Sequence, residues 1–516
     1  MYQLLSKIGK LLFHRMGIMM VLIAAQIALY VAGLLLLQDS QYYGVYWGIA
    51  LTLSVLAVVW IVGSSSNPGY KIGWIIIVLA LIPFGCVAYL LLGGNHLSYF
   101  NQRRLRIMER RMEQQLGREC ARSGSFALIE GEDAGRMAHY LEQVVHCPVY
   151  GNTETRYYPL GDVCYDDILD ALRGARRYIF IEYFIIEEGK LWNSVLEILK
   201  EKAAAGVEIR VIYDDIGSIF TLPANYPAQL EKLGIHCRVF NRLVPVVSLR
   251  QNNRDHRKLC IIDGKVGFTG GMNLADEYIN RRVRFGHWKD SAILLRGEAV
   301  WSMTVMFLSM WDYCSGWEED FDLFRPESMP RLPGSGWVQP YTDTPLDHEK
   351  VGQAVYLNMI SRARDYIYIT TPYLIVDVAT NTALCNAAKA GVDVRIITPH
   401  IPDKKTVFEV TRAYYPQLLE AGVRIFEYTP GFIHGKNFVV DDRYATVGTV
   451  NLDYRSMFLH FENGVLLYDT PTVSEIYQDF LETQGKSLEI TLADCRKVPL
   501  PRRLLRDALR LFAPLL

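Results

Sequence analysis

Nothing in this chain pairs its cysteines. The nine are scattered through 516 residues, with no Cys-x-x-Cys and no spacing of the kind that holds zinc. An odd count excludes a fully paired disulfide framework, so they read as reduced, mostly buried small apolar residues. Net charge is nearly missing too, at −1. No global excess of basic residues points to nucleic acid, and any anion-binding site has to be local. Charge is wholly absent from three long stretches near the amino end, residues 17–37, 44–63 and 72–92. Half of the chain is apolar and 21% is charged, which excludes disorder and fits globular domains with added membrane segments.

Each uncharged stretch is close to the ~20 residues that cross a bilayer core as helix. The first is long for a signal peptide and lacks a small-residue cleavage site. Residues 1–100 are therefore expected to form a membrane anchor of two or three transmembrane helices, making the protein a multi-pass cell-membrane protein. Lys7, Lys10 and Arg15 precede the first stretch, and Arg103, Arg104, Arg106, Arg110 and Arg111 follow the third. Both clusters favour the cytoplasm. Three spans would separate them, unless one segment is re-entrant. The second cluster is larger and lies in a basic juxtamembrane linker, 101–145, so the remainder of the chain is expected to be cytoplasmic. At the other end, residues 491–516 form an amphipathic tail mixing Arg with Leu. It fits a helix in a membrane interface or an ordinary packing helix.

From about residue 150, short apolar runs alternate with helical stretches, the mark of an α/β domain. The pattern then repeats. ARRYIFIEYF at 175–184 resembles ARDYIYITTP at 363–372, and AGVEIRV at 205–211 matches AGVDVRI at 390–396. HRKLCIID at 256–263 answers HGKNFVVD at 434–441, and GGMN at 270–273 answers GTVN at 448–451. Matches in one order at nearly one interval indicate an internal duplication, with a period far too long for a solenoid. Two copies of one α/β domain are expected, at 146–325 and 346–490, with a proline- and glycine-rich junction between them.

Both octets spell His-x-Lys-x-x-x-x-Asp. The apolar run after the lysine reads as a buried strand, and residues two apart on a strand face the same side. His256 therefore points with Lys258, and His434 with Lys436. Asn273 and Asn451 follow from a glycine turn that lets backbone approach a ligand. Lysine and asparagine donors suit phosphate oxygens, and a histidine among them can attack phosphorus or carry a proton. Displacement at phosphorus needs a nucleophile on one side and an acid on the other, so the two copies read as two sides of one site. A carboxylate should orient each imidazole. Asp290 is expected to serve His256, and Glu462 to serve His434. Asp263 and Asp441 complete the catalytic motif, where they end an apolar strand and brace the loop leading to the glycine turn. No further His, Asp or Cys cluster stands at ligand spacing, so no metal is expected. Tyr183, Tyr373 and Tyr414 read as core residues that could also wall a pocket.

The doubled signature His-x-Lys-x4-Asp-x6-Gly-x-x-Asn resembles that of the phospholipase D superfamily. Within it, GGMNLADEY at 270–278, WKD at 288–290, TPY at 371–373 and GFIHGK at 431–436 are similar to bacterial cardiolipin synthases. The resemblance implies two phospholipase D-type α/β domains packed as a pseudo-two-fold pair. It implies a phosphatidyltransferase that joins one phosphatidylglycerol to another and releases glycerol. His256 would attack phosphorus to form a phosphatidyl-histidine, His434 would protonate glycerol, and Lys258, Lys436, Asn273 and Asn451 would hold the phosphoryl oxygens. No cofactor is implied. The partners are phosphatidylglycerol, other anionic phospholipids and the membrane, not nucleic acid. The family usually has Ser where Gly271 and Thr449 stand here, and commonly two amino-terminal hydrophobic segments. A phospholipase D-type hydrolase, a transphosphatidylase using another headgroup and a membrane-attached nuclease are the alternative activities.

Overall fold

The structure, a computed structural model, describes residues 41–64, 67–82, 84–92, 99–123, 132–243, 252–332, 335–347 and 349–515, with a few isolated positions besides. Contacts divide the chain into two units: Met1–Leu97 with Asn241–Asn253, and Ser98–Phe240 with Arg254–Pro514. Almost all of the expected first span, 17–37, lies outside the described residues.

In the first unit, helix Tyr43–Gly63 has 21 residues and no charge. At 1.5 Å per residue it measures about 31 Å, the thickness of a bilayer core. It alone among the described residues is long and apolar enough to cross a membrane. The stretch 72–92, expected as one span, is instead two helices, Pro68–Ala80 and Phe84–Leu92. The first is capped by the Asn67 side chain, which accepts from Gly69 N at 2.9 Å. Its 13 residues reach only about 20 Å.

The chain then doubles back. The rings of Trp74 and Tyr89 lie 5.4 Å apart, whereas a continuous helix would separate them by about 22 Å. Cys86 Sγ approaches Leu53 O at 3.7 Å, so the returning helix also rests on Tyr43–Gly63. The break coincides with Pro83 in the sequence, a residue that cannot donate within a helix and crowds the carbonyl four residues back. Gly85 makes the close return possible. A Cβ there would lie 2.3 Å from Ile77 O and 2.6 Å from Val78 Cα. Hydropathy is satisfied by either arrangement, because it reports apolar length and not direction.

The second unit holds two α/β bodies whose sheets share one order of seven strands, the second adding an eighth at its edge. The first sheet runs β1-β9-β7-β6-β2-β3-β4. Its strands are β1 (Thr153–Tyr158), β2 (Tyr178–Tyr183), β3 (Glu208–Asp214), β4 (His236–Phe240), β6 (Leu259–Ile262), β7 (Val266–Gly270) and β9 (Ala292–Gly297). The second runs β10-β17-β16-β15-β11-β12-β13-β18. These are β10 (Trp337–Asp343), β11 (Tyr366–Thr370), β12 (Asp393–Pro399), β13 (Arg424–Tyr428), β15 (Asn437–Val440), β16 (Tyr444–Gly448), β17 (His460–Tyr468) and β18 (Ser487–Ile490). In each body three strands are parallel, and the two that flank the His-x-Lys segment and its glycine turn are antiparallel. The expected duplication of an α/β fold is present.

Two local departures have simple causes. β10 lies inside the proline-rich junction, with Pro340 in its middle. It is the edge strand of its sheet, paired with β17 and bridged by Tyr150 at Val338, so the missing N–H of Pro340 is tolerated. The basic stretch 101–145 is largely helix, and Tyr99–Ser123 packs on helix Val300–Ser315. Arg111 reaches Asp312 at 2.7 Å, and Arg325 reaches Glu119 at 2.8 Å. Val300–Ser315 is apolar on every side and buried from Val300 to Asp312, as a central helix must be. All nine cysteines are free thiols, six of them buried.

Replacing Gly85 by Val should force the hairpin apart and cost about 1–3 kcal/mol, the usual penalty for overpacking. Gly48→Ala, with open space around it, should be neutral. Thermal unfolding of the purified protein in detergent checks both.

Candidate active site

Two very short strands build the site by exchange between the bodies. β5 (Arg254–Asp255), from the first half, pairs in parallel with the start of β17 in the second. β14 (Gly431–Ile433), from the second half, pairs in parallel with β8 (His287–Lys289) in the first. Each exchange ends at the histidine of a His-x-Lys motif. His256 N donates to Phe461 O at 2.9 Å, and His434 N donates to Lys289 O at 2.7 Å. The residue after Phe461 is Glu462, and the residue after Lys289 is Asp290. Each histidine is therefore delivered to the acid of the opposite half.

This corrects the expected pairing. His256 Nδ1 donates to Glu462 Oε1 and Oε2 at 2.9 and 3.0 Å. His434 Nδ1 donates to Asp290 Oδ2 at 2.7 Å. Position along the repeat had assigned Asp290 to His256 and Glu462 to His434; the inter-body pairing reverses it. An Nδ1 that donates to a carboxylate leaves Nε2 with the lone pair, the nitrogen that can attack or accept a proton.

All six side chains are buried. Lys258 Nζ bonds His256 O, and Lys436 Nζ bonds His434 O and lies 3.0 Å from His434 Nδ1. Burial and then the neighbouring cations hold both imidazoles neutral. His256 falls well below its usual range through burial, Lys258, Lys436 and His434, so the two histidines share one field. His434 is lowered to about 4 by burial and Lys436, against Asp290. Burial raises Asp290, but His434 and Lys436 outweigh it and leave the carboxyl below its usual value. Burial lowers Lys258 to about 7 and Lys436 to about 8. A lysine this close to losing its proton is restored to full charge by an anion placed against it.

The two halves differ in detail. Thr449 Oγ1 donates to Glu462 Oε2. At the matching Gly271 a Cβ would lie 2.0 Å from Asp290 Oδ1, so a bare glycine makes room for the shorter acid. Asp290 Oδ1 accepts from Ser291 N at 2.9 Å instead. Two residues before each acid stands a ring beside the opposite histidine: Trp288, 5.5 Å from His434, and His460, 5.4 Å from His256.

His460 is the residue the sequence reading missed, for it belongs to no motif. Its repeat position, matching Trp288, was the available signal. It is buried, with Arg455 Nε at 3.4 Å from its Nε2 and its Nδ1 at 3.6 Å from Glu462 Oε1. His256, His460 and Glu462 also bring three possible metal-ligand atoms within 4.8 Å of one another. This is a cluster that sequence spacing does not reveal. Arg455 donates to the His460 ring and Lys258 stands beside His256, so two cations already border this cluster.

Asn273 and Asn451 lie buried at the ends of their glycine turns. Asn273 Oδ1 accepts from Ile185 N at 3.1 Å and its Nδ2 donates to Tyr278 Oη at 2.7 Å, which leaves one N–H. Asp263 and Asp441, counted with the catalytic set, stand elsewhere. Five steps along β6 or β15 put about 16 Å of chain between them and the lysines. Asp263 accepts from the backbone N–H groups of Arg176, Arg177 and Tyr178 at 2.7–2.9 Å. Asp441 does the same for Arg364, Asp365 and Tyr366 at 2.8–3.0 Å. They brace the entry to β2 and β11 rather than the loop before the glycine turn. Tyr183 and Tyr414 are core residues, and Tyr373 Oη donates to Asp403 at 2.6 Å.

The lysine values set the sign of a pH effect. Unfolding returns both lysines to 10.5, so the unfolded chain holds more protons between about pH 7 and 10.5, and these groups add stability as pH rises through that window. An oxyanion favours their charged forms. Phosphate should therefore raise the melting temperature more at pH 6.5 than at pH 9.5, measured by thermal unfolding, and Lys258→Met/Lys436→Met should abolish the difference.

Comparison with known proteins agrees with this geometry. A family model described as cardiolipin synthase, PLD-like domain, matches residues 168–309 and 356–483. One described as phospholipase D-nuclease N-terminal matches 52–94. An uncharacterized protein of Streptococcus mutans is 47% identical over 380 residues, 74% of this chain and 82% of that protein. A cardiolipin synthase of Alkalihalophilus pseudofirmus is 34% identical over 473 residues, 91% of this chain and 93% of its own. The crystal structure of phosphatidylserine synthase from Haemophilus influenzae shares the fold, with a TM-score of 0.57 at 15% identity, covering 74% of this chain and all of that one. The chain belongs to the cardiolipin synthase family of the phospholipase D superfamily, and it is a phosphatidyltransferase.

Proposed function

We propose that the enzyme transfers a phosphatidyl group from one phosphatidylglycerol to the hydroxyl of another, giving cardiolipin and glycerol. The observation that carries this reading is the pair of imidazoles, each held at Nδ1 by a buried carboxylate of the other half and each flanked by a buried lysine. Such a pair supplies a nucleophile and an acid to one phosphorus. It needs no nucleotide, because a phosphodiester is exchanged for a phosphodiester.

In the first step His256 Nε2 attacks phosphorus, the P–O bond to glycerol breaks, and His434 donates its proton to the departing oxygen. The product is a phosphatidyl-histidine. In the second, the hydroxyl of the acceptor lipid gives its proton to His434 and attacks phosphorus, freeing His256. Lys258 and Lys436 hold the phosphoryl oxygens as negative charge builds, together with the amides of Asn273 and Asn451. His256 is read as the nucleophile because its surrounding cations, Arg455 among them, favour the neutral ring. His434, whose acid is itself ionised, is better placed to bear a proton once a phosphodiester is bound. Water competes as acceptor, and holding the site near lipid raises the acceptor's effective concentration.

Acid quenching during turnover of labelled phosphatidylglycerol should leave label on His256, mapped by peptide analysis. His434→Ala should lower synthesis by about 10²–10⁴-fold, the usual worth of a general acid. Label on His434 would reverse the roles, and phosphatidic acid as the sole product would replace synthesis by hydrolysis.

The hairpin bears on localisation. If residues 17–37 cross the membrane as their composition predicts, Tyr43–Gly63 returns the chain, and the hairpin adds no crossing. Both basic clusters then share one side, which supports a cytoplasmic catalytic unit. Protease added to intact cells should leave a carboxy-terminal tag uncut; cleavage would put the unit outside.

A further inference from the structure

The carboxy-terminal helix Leu500–Leu511 is mounted with its charged face inward. Arg502 and Arg506 both pair with Glu409 of helix Lys405–Glu420, and Arg506 is only 7% exposed. Arg510 donates to Gln417 at 3.1 Å and lies 4.3 Å from the centre of the Tyr414 ring. The opposite face carries Leu500, Leu504, Leu505 and Leu511, exposed by 65%, 60%, 52% and 43%. At 100° per residue, Leu500, Leu504 and Leu511 fall within one narrow stripe, and Leu505 stands about 100° round from it. A helix packed on a water-soluble surface does the reverse, hiding its leucines and showing its arginines.

Beside this helix lies a cavity of about 320 Å³ between helices Lys405–Glu420, Leu492–Arg496 and Leu500–Leu511. Five guanidinium groups line it, those of Arg412, Arg496, Arg503, Arg506 and Arg510, against the carboxylates of Glu420 and Asp507. Arg412 and Arg506 are already committed to Glu427 and Glu409. Arg496 and Arg503 are exposed, and neither pairs with a carboxylate among the described residues.

We infer that Leu500–Leu511 docks on an anionic bilayer, its leucine stripe entering the headgroup–acyl boundary and the arginine-lined cavity receiving a lipid phosphate. The two features need each other. Exposed leucines alone fit any apolar partner, and exposed arginines alone fit any anion. Leucines and Arg503 on one short helix, with Arg496 on the helix before it, match a surface that is apolar just beneath a layer of negative charge. Docking here holds the catalytic unit to the lipid surface at a second point, distant in sequence from the amino-terminal anchor. It does not depend on which lipid the active site consumes.

The test uses the full-length enzyme in detergent, in phosphatidylcholine nanodiscs and in nanodiscs that also contain phosphatidylserine. Amide hydrogen exchange is followed across residues 496–511. Exchange should slow about tenfold in the anionic discs relative to detergent, and less in phosphatidylcholine alone. Arg496→Ala/Arg503→Ala should remove the difference between the two lipid compositions, and Leu504→Ser/Leu511→Ser should lower protection in both. Unchanged exchange in β11 and β17 shows that the variants remain folded. Equal exchange in detergent and both kinds of disc would overturn the inference. So would protection produced by inorganic phosphate in detergent with none added by the anionic bilayer, because the cavity would then hold a free anion. Because the readout is not activity, a failure here is separable from a failure of the proposed reaction.

Discussion

Two imidazole–carboxylate bonds that cross from one half of the catalytic unit to the other hold the chemistry together. His256 is oriented by Glu462 and His434 by Asp290. Neither half is complete alone, since each holds an imidazole without its carboxylate and a carboxylate without its imidazole. The crossing is enforced by backbone, through β5 on β17 and β14 on β8, so the rings are set by strand pairing and not by side-chain choice. Preorganisation of this kind favours displacement at phosphorus, because no group has to move as charge develops.

The cost falls on the two lysines. Burial pushes both towards neutrality, and an anion set against them favours their charged forms. The same logic keeps both imidazoles neutral until an anion arrives. Asymmetry is then added locally. Thr449 and His460 stand around Glu462, where Gly271 and Trp288 stand around Asp290. The surroundings of His256 are thus hydrogen-bonding and titratable where those of His434 are apolar, although the two backbones repeat each other. Duplicated folds can divide labour in this way without altering either scaffold.

Both ends of the chain depart from ordinary patterning. Near the amino end, an apolar stretch long enough to span is folded on itself, with Gly85 at the close return. At the carboxy end, a helix turns its arginines into the protein and its leucines out. In both cases composition is compatible with a commoner arrangement, and contact geometry selects the other.

The repeat, the α/β class and the histidines and lysines were legible from residues alone, because they depend on contiguous patterns whose side-chain direction follows from strand periodicity. Asp290 and Glu462 were legible as residues but not as partners. Their assignment depends on strands of two and three residues pairing across the interface between the bodies, too short to leave a periodic signal. Asp263 and Asp441 read as catalytic because they share a motif with the lysines, yet a strand's length separates them. β10 was hidden by Pro340, which only an edge position permits. His460 was invisible because its importance lies in a neighbour 204 positions away in the chain. Sequence by itself determined which groups this protein can bring to phosphorus, since chemistry resides in residue types. Tertiary structure decided which acid pairs with which histidine, whether an apolar run continues or returns, and which face of a helix is left exposed, since each depends on contacts between segments far apart along the chain.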